Sequence, residues 1–237
     1  MSDAQVSLRS EKKYLTSYSD VSQEEAEEIL GFKFNTFYRS QIPIENFITK
    51  SAPVELKRKI FDRLIDCIES EGFPEATIAP MNEAVITDNV GMILITIVSY
   101  YRRTMHRYDI ELTREKQIIS KDKEFGGNME FVVTQIMNSA NTRYLLVVEA
   151  KRDSLGKGLT QLLLTLKSMW NINDDHKMVY AFVTTAINWQ LVTYDGQTWK
   201  LSDSSTILLG NMEQREEQWL ENNTQLLDAI YTILSSI

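Results

Sequence analysis

An acid and a base lie two residues apart near the middle of the chain, where Glu149, Ala150 and Lys151 follow the apolar run YLLVV. Such a run is typical of a buried strand. Because side chains alternate along a strand, we expect four of these residues to share one face: Leu145, Val147, Glu149 and Lys151. Burying both charges without partners would be costly, so the pair needs a counter-ion or access to water.

The Glu-x-Lys spacing is a weak signal by itself, because it also occurs at Glu11/Lys13 and at Glu55/Lys57. Only the third copy ends an apolar run. Taken alone, it is better explained as an ion pair at the solvated end of a strand. The elements around it therefore decide its interpretation.

The periodicity before this position predicts helices. Residues 22–25 (SQEE) have the form of a capping box and open a short helix that runs to about Leu30. A second helix begins at Pro53 and ends at Gly72. A longer, deeply packed helix follows Pro80 and closes on basic residues that suit the negative pole of its dipole.

From residue 110 onward the period becomes that of strands. Three strands are predicted at residues 111–120, 129–137 and 144–150, followed by a helix over 159–170 and a strand over 179–184. A hairpin of residues 189–194 and 198–201 surrounds an Asp-Gly turn. An amphipathic helix over 212–234 then covers the sheet or the first helices, with a homodimer contact as the lesser alternative.

This order predicts an α/β fold, because a crossover helix between two strands implies a layered sheet with mixed pairing. We divide the chain into three parts. Residues 1–20 are expected to form a mobile tail, residues 21–79 a helical extension packed on the core, and residues 80–237 the core with its C-terminal helix.

Composition sets broad limits on function. The chain has 237 residues, of which 43% are hydrophobic and 24% charged, as in an ordinary globular protein. Its formal net charge is −8, but residues 80–200 carry 14 basic against 13 acidic residues, a net charge of +1. A nucleic-acid partner is therefore compatible with the central segment, although no basic stripe supports it.

Localisation is inferred from a lone cysteine and from the apolar runs. Cys67 has no partner for an internal disulfide, which favours a reducing intracellular compartment, cytoplasmic or nuclear. The N-terminus is polar and lacks the apolar region of a secretory signal. The longest apolar stretch, residues 90–101, is short for a membrane span, so no membrane partner is expected.

The run YLLVVEAKR resembles the third core strand of the PD-(D/E)XK nuclease superfamily. The resemblance covers roughly residues 80–201, about half of the chain. It implies the restriction-endonuclease-like fold, a mixed central sheet flanked by helices, here with extra N-terminal and C-terminal helices. Similar domains recur in crinkler-type effectors and in fungal proteins.

The resemblance also implies further site residues. Glu130 lies where the family has an acid one strand earlier, most often Asp. Gln161 matches a glutamine on the helix that follows. Glu83 matches an acid on the preceding core helix, although an acid near a helix N-terminus is an equally good explanation.

A divalent-metal-dependent nuclease is the activity that this resemblance implies. Glu130 and Glu149, with the carbonyl of Ala150, would hold Mg²⁺ or Mn²⁺, and Glu83 would complete the shell or orient a metal-bound water. Lys151 would position the attacking water or stabilise the pentavalent phosphorus.

Three more residues would then act around the reacting phosphate. Gln161 would position the lysine or a backbone phosphate, and Arg152 and Lys157 would contact phosphates. DNA is preferred over RNA as the substrate on family frequency alone.

Two alternatives stay open. The chain could be a catalytically inactive member of the family that acts in protein interaction or as an intracellular effector, as the acidic flanks and the Glu130 substitution favour. It could also be an unrelated α/β binding domain in which the motif is accidental.

Overall fold

The computed structural model describes residues 13–73, 83–139, 141–152 and 155–237. In these ranges the strands are β1 (Thr16–Ser17), β2 (Ile110–Ile119), β3 (Phe125–Asn138), β4 (Asn141–Ala150), β5 (Val179–Thr184), β6 (Asn188–Tyr194), β7 (Trp199–Leu201) and β8 (Ser205–Thr206). The helices are α1 (Gln23–Leu30), α2 (Phe34–Arg39), α3 (Val54–Glu71), α4 (Glu83–Thr104), α5 (Leu155–Ile172), α6 (Glu216–Asn222) and α7 (Gln225–Ser235). Single 3-10 turns lie at Tyr18–Asp20, Ile44–Phe47 and Met212–Gln214.

Over the described part of the chain, the eight strands form one mixed sheet in the order β1-β3-β4-β5-β6-β7, with β2 also paired to β3 and β8 to β6. Strands β2, β3 and β4 are an antiparallel meander. Strands β4 and β5 are parallel, and α5 makes the crossover between them. The prediction of an α/β fold with a mixed central sheet flanked by helices is confirmed.

Two hydrophobic clusters cover the two faces of this sheet. The α4 face is packed by buried residues of α3, α4, α6 and α7. The α5 face is packed by residues of α1, α2 and α5. Helix α7 buries its apolar side within the chain, which agrees with the first of the two alternatives for the terminal helix.

Local signals explain several helix ends. Ser22 and Glu25 form the predicted capping box at the start of α1, and Gly31 ends that helix in the left-handed region. Gly72 ends α3 at a φ of 89°. Helix α5 begins four residues before the expected Leu159.

Helix α4 is longer than its apolar run indicates. The segment Ala84–Thr104 is long and apolar enough to cross a membrane by length and composition, which the sequence analysis did not expect. In the fold, more than half of it is buried inside the protein. Its buried residues pack against the sheet, as expected for a core helix.

The expected N-terminal tail is too long. Residues 16–17 form β1, which pairs in parallel with the start of β3, and Tyr18 is 1% exposed. Tyr18 packs against Gly127, at which a Cβ would lie 3.2 Å from the tyrosine ring. The aromatic side chain therefore anchors this segment to the sheet.

The expected single helix over residues 212–234 is also wrong. A 3-10 turn is followed by α6 and then, after a break at Asn223 and Thr224, by α7. The indole of Trp219 donates to the carbonyl of Ile207 at 2.6 Å, and the Asn223 amide donates to the carbonyl of Thr206 at 3.0 Å. These bonds tie α6 to β8 and its exit, so the chain must bend before α7 can pack.

Candidate functional site

The end of β4 carries the motif on which the sequence analysis is based. Val147 packs in the cluster on the α5 face, and Glu149 and Lys151 follow it at strand spacing. Leu145 packs in the opposite cluster, contrary to expectation. The register of β3 and β4 shifts between Val133 and Thr134, so the alternation of β4 is broken at Leu145.

Glu149 and Lys151 form a close ion pair. The lysine Nζ donates to Glu149 Oε1 at 2.6 Å, and the two side chains are 4% and 24% exposed for Glu149 and Lys151 respectively. The second carboxylate oxygen, Oε2, is buried and has no hydrogen-bond partner among the described residues. Burial raises the pKa of the Glu149 carboxyl above its usual range, and Lys151 and the nearby backbone N–H of Glu130 act in the opposite direction.

Glu130 reaches the same strand end from β3. Its Oε2 accepts a hydrogen bond from the backbone N–H of Ala150 at 2.7 Å. The pairing of Phe131 with Val148 places Glu130 opposite Glu149 if the register continues by one residue. Two of the predicted acids, Glu130 and Glu149, are therefore brought together at the end of β4.

The alternation of side chains between the two faces of the sheet is interrupted in the meander beside Glu130. Met129 and Phe131 are two residues apart, yet they pack in clusters on opposite faces of the sheet. In β2, Ile110 and Ile118 are an even number of residues apart and also pack on opposite faces. Glu115 lies between them with a φ of 52°, which residues other than glycine seldom adopt. Both strands are therefore irregular at the same level of the sheet.

Sequence reasoning missed Glu115. Arg114 pairs with Phe131 and Lys116 pairs with Met129, so Glu115 lies opposite Glu130 in the register of β2 and β3. Its carboxylate also raises the pKa of Glu149 through charge repulsion. Ile110, Leu112 and Ile118 are all an even number of residues apart in the sequence, which predicts a single face and gives no sign of the irregular backbone.

Helix α5 holds Lys151 from the side. A Cβ built on Gly158 would lie 3.1 Å from Lys151 Cγ and 2.8 Å from Val183 Cγ2. The first turns of α5 therefore pack closely on the lysine stem and on β5 because residue 158 lacks a side chain. The backbone N–H of Lys151 donates to the carbonyl of Thr184 at 2.8 Å, which continues the pairing of β4 with β5.

Gln161 faces the same side of the sheet. It is 8% exposed, and its amide nitrogen lies 3.9 Å from the sulfur of Met129, the neighbour of Glu130. Thr165, one turn further along α5, donates to the same sulfur at 3.3 Å. The structure thus places Gln161 beside the strand that bears Glu130, in contact with Met129.

The structure describes only the backbone of two further predicted site residues, Glu83 and Lys157, and the exposure of a third, Arg152. Glu83 begins α4, and Lys157 lies in the first turn of α5, but both side chains fall outside the described part of the structure. Arg152 is exposed directly after β4. The predicted convergence of Glu83 with Glu130 and Glu149 is therefore an untested expectation.

The chemistry of the donor set fits a hard divalent cation only in part. Among the described residues, no group of three or more His, Cys, Asp or Glu side chains could hold a metal ion directly. Glu149 Oε2 is nevertheless a buried acceptor without a partner, and a cation would satisfy it. Carboxylate and carbonyl oxygens are the ligands that Mg²⁺ and Mn²⁺ prefer. The described side chains alone therefore supply too few direct ligands to complete the shell of such an ion.

Comparisons with known proteins do not identify the chain. No protein-family model matches the sequence, and a search of curated proteins finds no match. The functional inference therefore depends on the side chains at the end of β4.

Proposed function

We propose that this protein is a divalent-metal-dependent nuclease of the PD-(D/E)XK kind that hydrolyses phosphodiester bonds in DNA or RNA, with DNA as the first substrate to test. One observation carries the proposal. The buried Glu149 carboxylate binds Lys151 through one oxygen at 2.6 Å and leaves the other oxygen without a partner among the described residues. The free carboxylate oxygen is available to a divalent cation, and the ammonium group beside it could reach a metal-bound water or the phosphate.

The order of elements supports the same proposal. Helix α4 precedes the antiparallel meander β2-β3-β4, and α5 then leads to β5, which is parallel to β4. The resemblance to the superfamily implies a mixed sheet flanked by helices in which the acid and the Glu-x-Lys motif lie on neighbouring strands. Glu130 on β3 and Glu149 on β4 have this relation.

The ion would supply Lewis acidity. When bound, Mg²⁺ or Mn²⁺ would lower the pKa of a coordinated water and neutralise charge on the phosphate. Glu149 Oε2, Glu130 and the carbonyl of Ala150 are the oxygens that would hold it. A Glu130 carboxylate bonded to the Ala150 N–H is fixed in place before any ligand arrives.

Lys151 would act on the attacking water or on the phosphate. Its ammonium group is held at 2.6 Å from Glu149, and its stem is packed against Gly158. A lysine in this place can orient a water or stabilise the negative charge of the pentavalent phosphorus. Arg152, exposed beyond the strand, is suited to contact a neighbouring phosphate of the substrate.

A cleavage assay tests the proposal. The full chain is incubated with labelled DNA and RNA while Mn²⁺ or Mg²⁺ is titrated, beside Lys151→Ala and the matched control Lys200→Ala on β7. We expect metal-dependent cleavage of DNA that is lost in Lys151→Ala and retained in Lys200→Ala. Equal activity in both variants, or no cleavage at any metal concentration, would contradict the proposal.

Two observations favour the second candidate, a catalytically inactive nuclease-fold module that acts in protein interaction. Glu130 Oε2 and Glu149 Oε1 are both already satisfied within the chain, and the overall charge of −8 disfavours contact with nucleic acid. Binding of Mn²⁺ without cleavage of either nucleic acid would support this candidate. Activity that depends on Lys151 would exclude it.

A further inference from the structure

We infer that Glu115 is a third carboxylate of the cation site and acts on the hydrated ion through one of its water molecules. This inference rests on the proposed function for the position of the ion. It adds a residue from β2 that the Glu-x-Lys motif and its neighbouring acid do not include. The ligand is a divalent cation with part of its hydration shell.

The register of the sheet brings the three acids abreast. Glu115 lies between two residues that pair on either side of Glu130. Glu130 in turn lies one residue beyond the paired Phe131, on the level of Glu149 in β4. Neighbouring strands are about 4.8 Å apart, so three glutamate side chains at one level can converge on a common volume.

The backbone of Glu115 aims its side chain away from the regular pleat. Its φ of 52° lies in the left-handed region, and the faces of β2 and β3 exchange at this level. Irregularities of this kind redirect a side chain and are frequent beside binding sites. A non-glycine residue held there costs folding free energy, which the surrounding sheet must offset.

An independent observation points to a ligand at this place. The Glu149 side chain is 4% exposed, and its Oε2 has no hydrogen-bond partner in the described residues. Glu115 lies opposite Glu130 in the register of β2 and β3, at the level of this carboxylate. A divalent cation would satisfy the orphan oxygen and turn the repulsion between the two acids into attraction for the ion.

The contact is expected to run through water. No three acidic or other metal-binding side chains in the described ranges can hold an ion directly, and Glu115 is exposed. Mg²⁺ dehydrates reluctantly and usually keeps several waters. A carboxylate at the solvent side of the site would accept hydrogen bonds from those waters, and such outer partners affect metal affinity strongly.

Calorimetric titration with Mn²⁺ alone tests the inference on the full chain. Glu115→Gln removes the charge and preserves the size of the side chain. The matched control is Glu111→Gln, also exposed and also on β2, but at the other end of the strand. We expect Glu115→Gln to weaken Mn²⁺ binding on the order of tenfold, and Glu111→Gln to bind as the wild type does.

A second variant separates the charge from the backbone. Glu115→Gly removes the carboxylate and relieves the strain of the positive φ, so it should melt at a higher temperature while binding Mn²⁺ as weakly as Glu115→Gln. Wild-type affinity in both variants would overturn the inference, whether or not the protein cleaves DNA. If the wild type binds no Mn²⁺, the inference and the proposed function both fail. If the wild type binds Mn²⁺ through Glu115 but cleaves no nucleic acid, the inference stands and the proposed function fails.

Discussion

Glu130 extends from β3 to the backbone of the neighbouring strand, where its carboxylate accepts the N–H of Ala150 at 2.7 Å. This bond lies directly beyond Phe131 and Val148, the last paired residues of β3 and β4. A carboxylate that is bonded to the backbone of the next strand is fixed in orientation. Its partner, Ala150, directly follows the buried Glu149. The structural role and the proposed metal-binding role of Glu130 therefore depend on the same atoms.

The bond from Glu130 to the Ala150 N–H depends on the length of the glutamate side chain. Glu130→Asp shortens the side chain by one methylene, so it cannot reach the Ala150 N–H from the same backbone. We expect a loss of about 1–2 kcal/mol in the free energy of unfolding, because a charge-assisted bond to a buried N–H is removed. Urea unfolding measures the loss. Glu130→Gln keeps an acceptor at full length and should lose less, and equal stabilities for both variants would contradict the explanation.

Burial of Glu149 predicts a pH dependence of stability. The folded protein raises the pKa of this carboxyl by desolvation, so the fold disfavours its ionised form. The folded state therefore holds the proton of Glu149 more tightly than the unfolded state does. As pH rises from the unfolded pKa of 4.5 through the raised folded pKa, the wild type loses stability relative to a variant without a titrating group at this position. Urea unfolding at several pH values from 4.5 to 8, without added metal, compares the wild type with Glu149→Gln. A difference between the two that is constant over this range would show that Glu149 titrates normally.

The pair of Arg107 and Asp109 predicts the acid side of the stability profile. The arginine lies 2.9 Å from the carboxylate, Gln135 donates to the same oxygen, and the pKa of Asp109 is lowered to about 2. Its contribution is present above the unfolded value of 3.8 and is lost as pH falls toward about 2.

Because both partners are partly exposed, we expect Asp109 to contribute about 1 kcal/mol. Acid unfolding of Asp109→Asn should show a smaller drop between pH 4 and 2 than the wild type. Asp62→Asn on the exposed side of α3 serves as the control and should follow the wild-type curve.

The close packing of α5 at Gly158 holds the stem of Lys151 in place. A methyl group at this position would meet Val183 at 2.8 Å and the Lys151 stem at 3.1 Å, and Val183 belongs to the packed sheet. We expect Gly158→Ala to cost about 1–3 kcal/mol and to displace the lysine. Metal-dependent cleavage should fall more than the loss of folded protein explains.

The matched control for this substitution is Gly210→Ala. A Cβ there would meet no atom within 4 Å. It should therefore leave both the melting temperature and cleavage close to wild-type values. A Gly158→Ala protein as active as this control would show that α5 does not position Lys151.

Sequence patterns predicted the elements that depend on local signals. The capping box at Ser22, the Asp195-Gly196 turn and the apolar periodicity of α4 all act within a few residues, and their elements are found, with a loop of residues 195–198 between Tyr194 and Trp199. The nearness of Glu130 to the end of β4 was inferred from a resemblance. The structure brings the two together through a bond that no local pattern encodes.

The irregular features of the site depend on contacts between strands and escaped prediction. In the sequence, Met129 and Phe131 are at the spacing of residues that share one face of a strand. In the structure they lie on opposite faces, and β2 changes face at the same level, so the pairing register of the two strands gives no sign of the change. Leu145 changes face because of a register shift relative to β3. Gly158 matters only because α5 returns to pack on Lys151, a contact set by the crossover.

Strand β2 is hydrogen-bonded on one side only within the described residues, which leaves a ten-residue edge. Long flat edges invite another chain to add a strand, and this one carries two obstacles. Glu111, Arg114, Glu115 and Lys116 place charges along it, and the backbone of Glu115 interrupts its flatness. A charged side chain on an irregular backbone disfavours the addition of another strand, so Glu115 lies where this open edge is least suited to pair with a second chain.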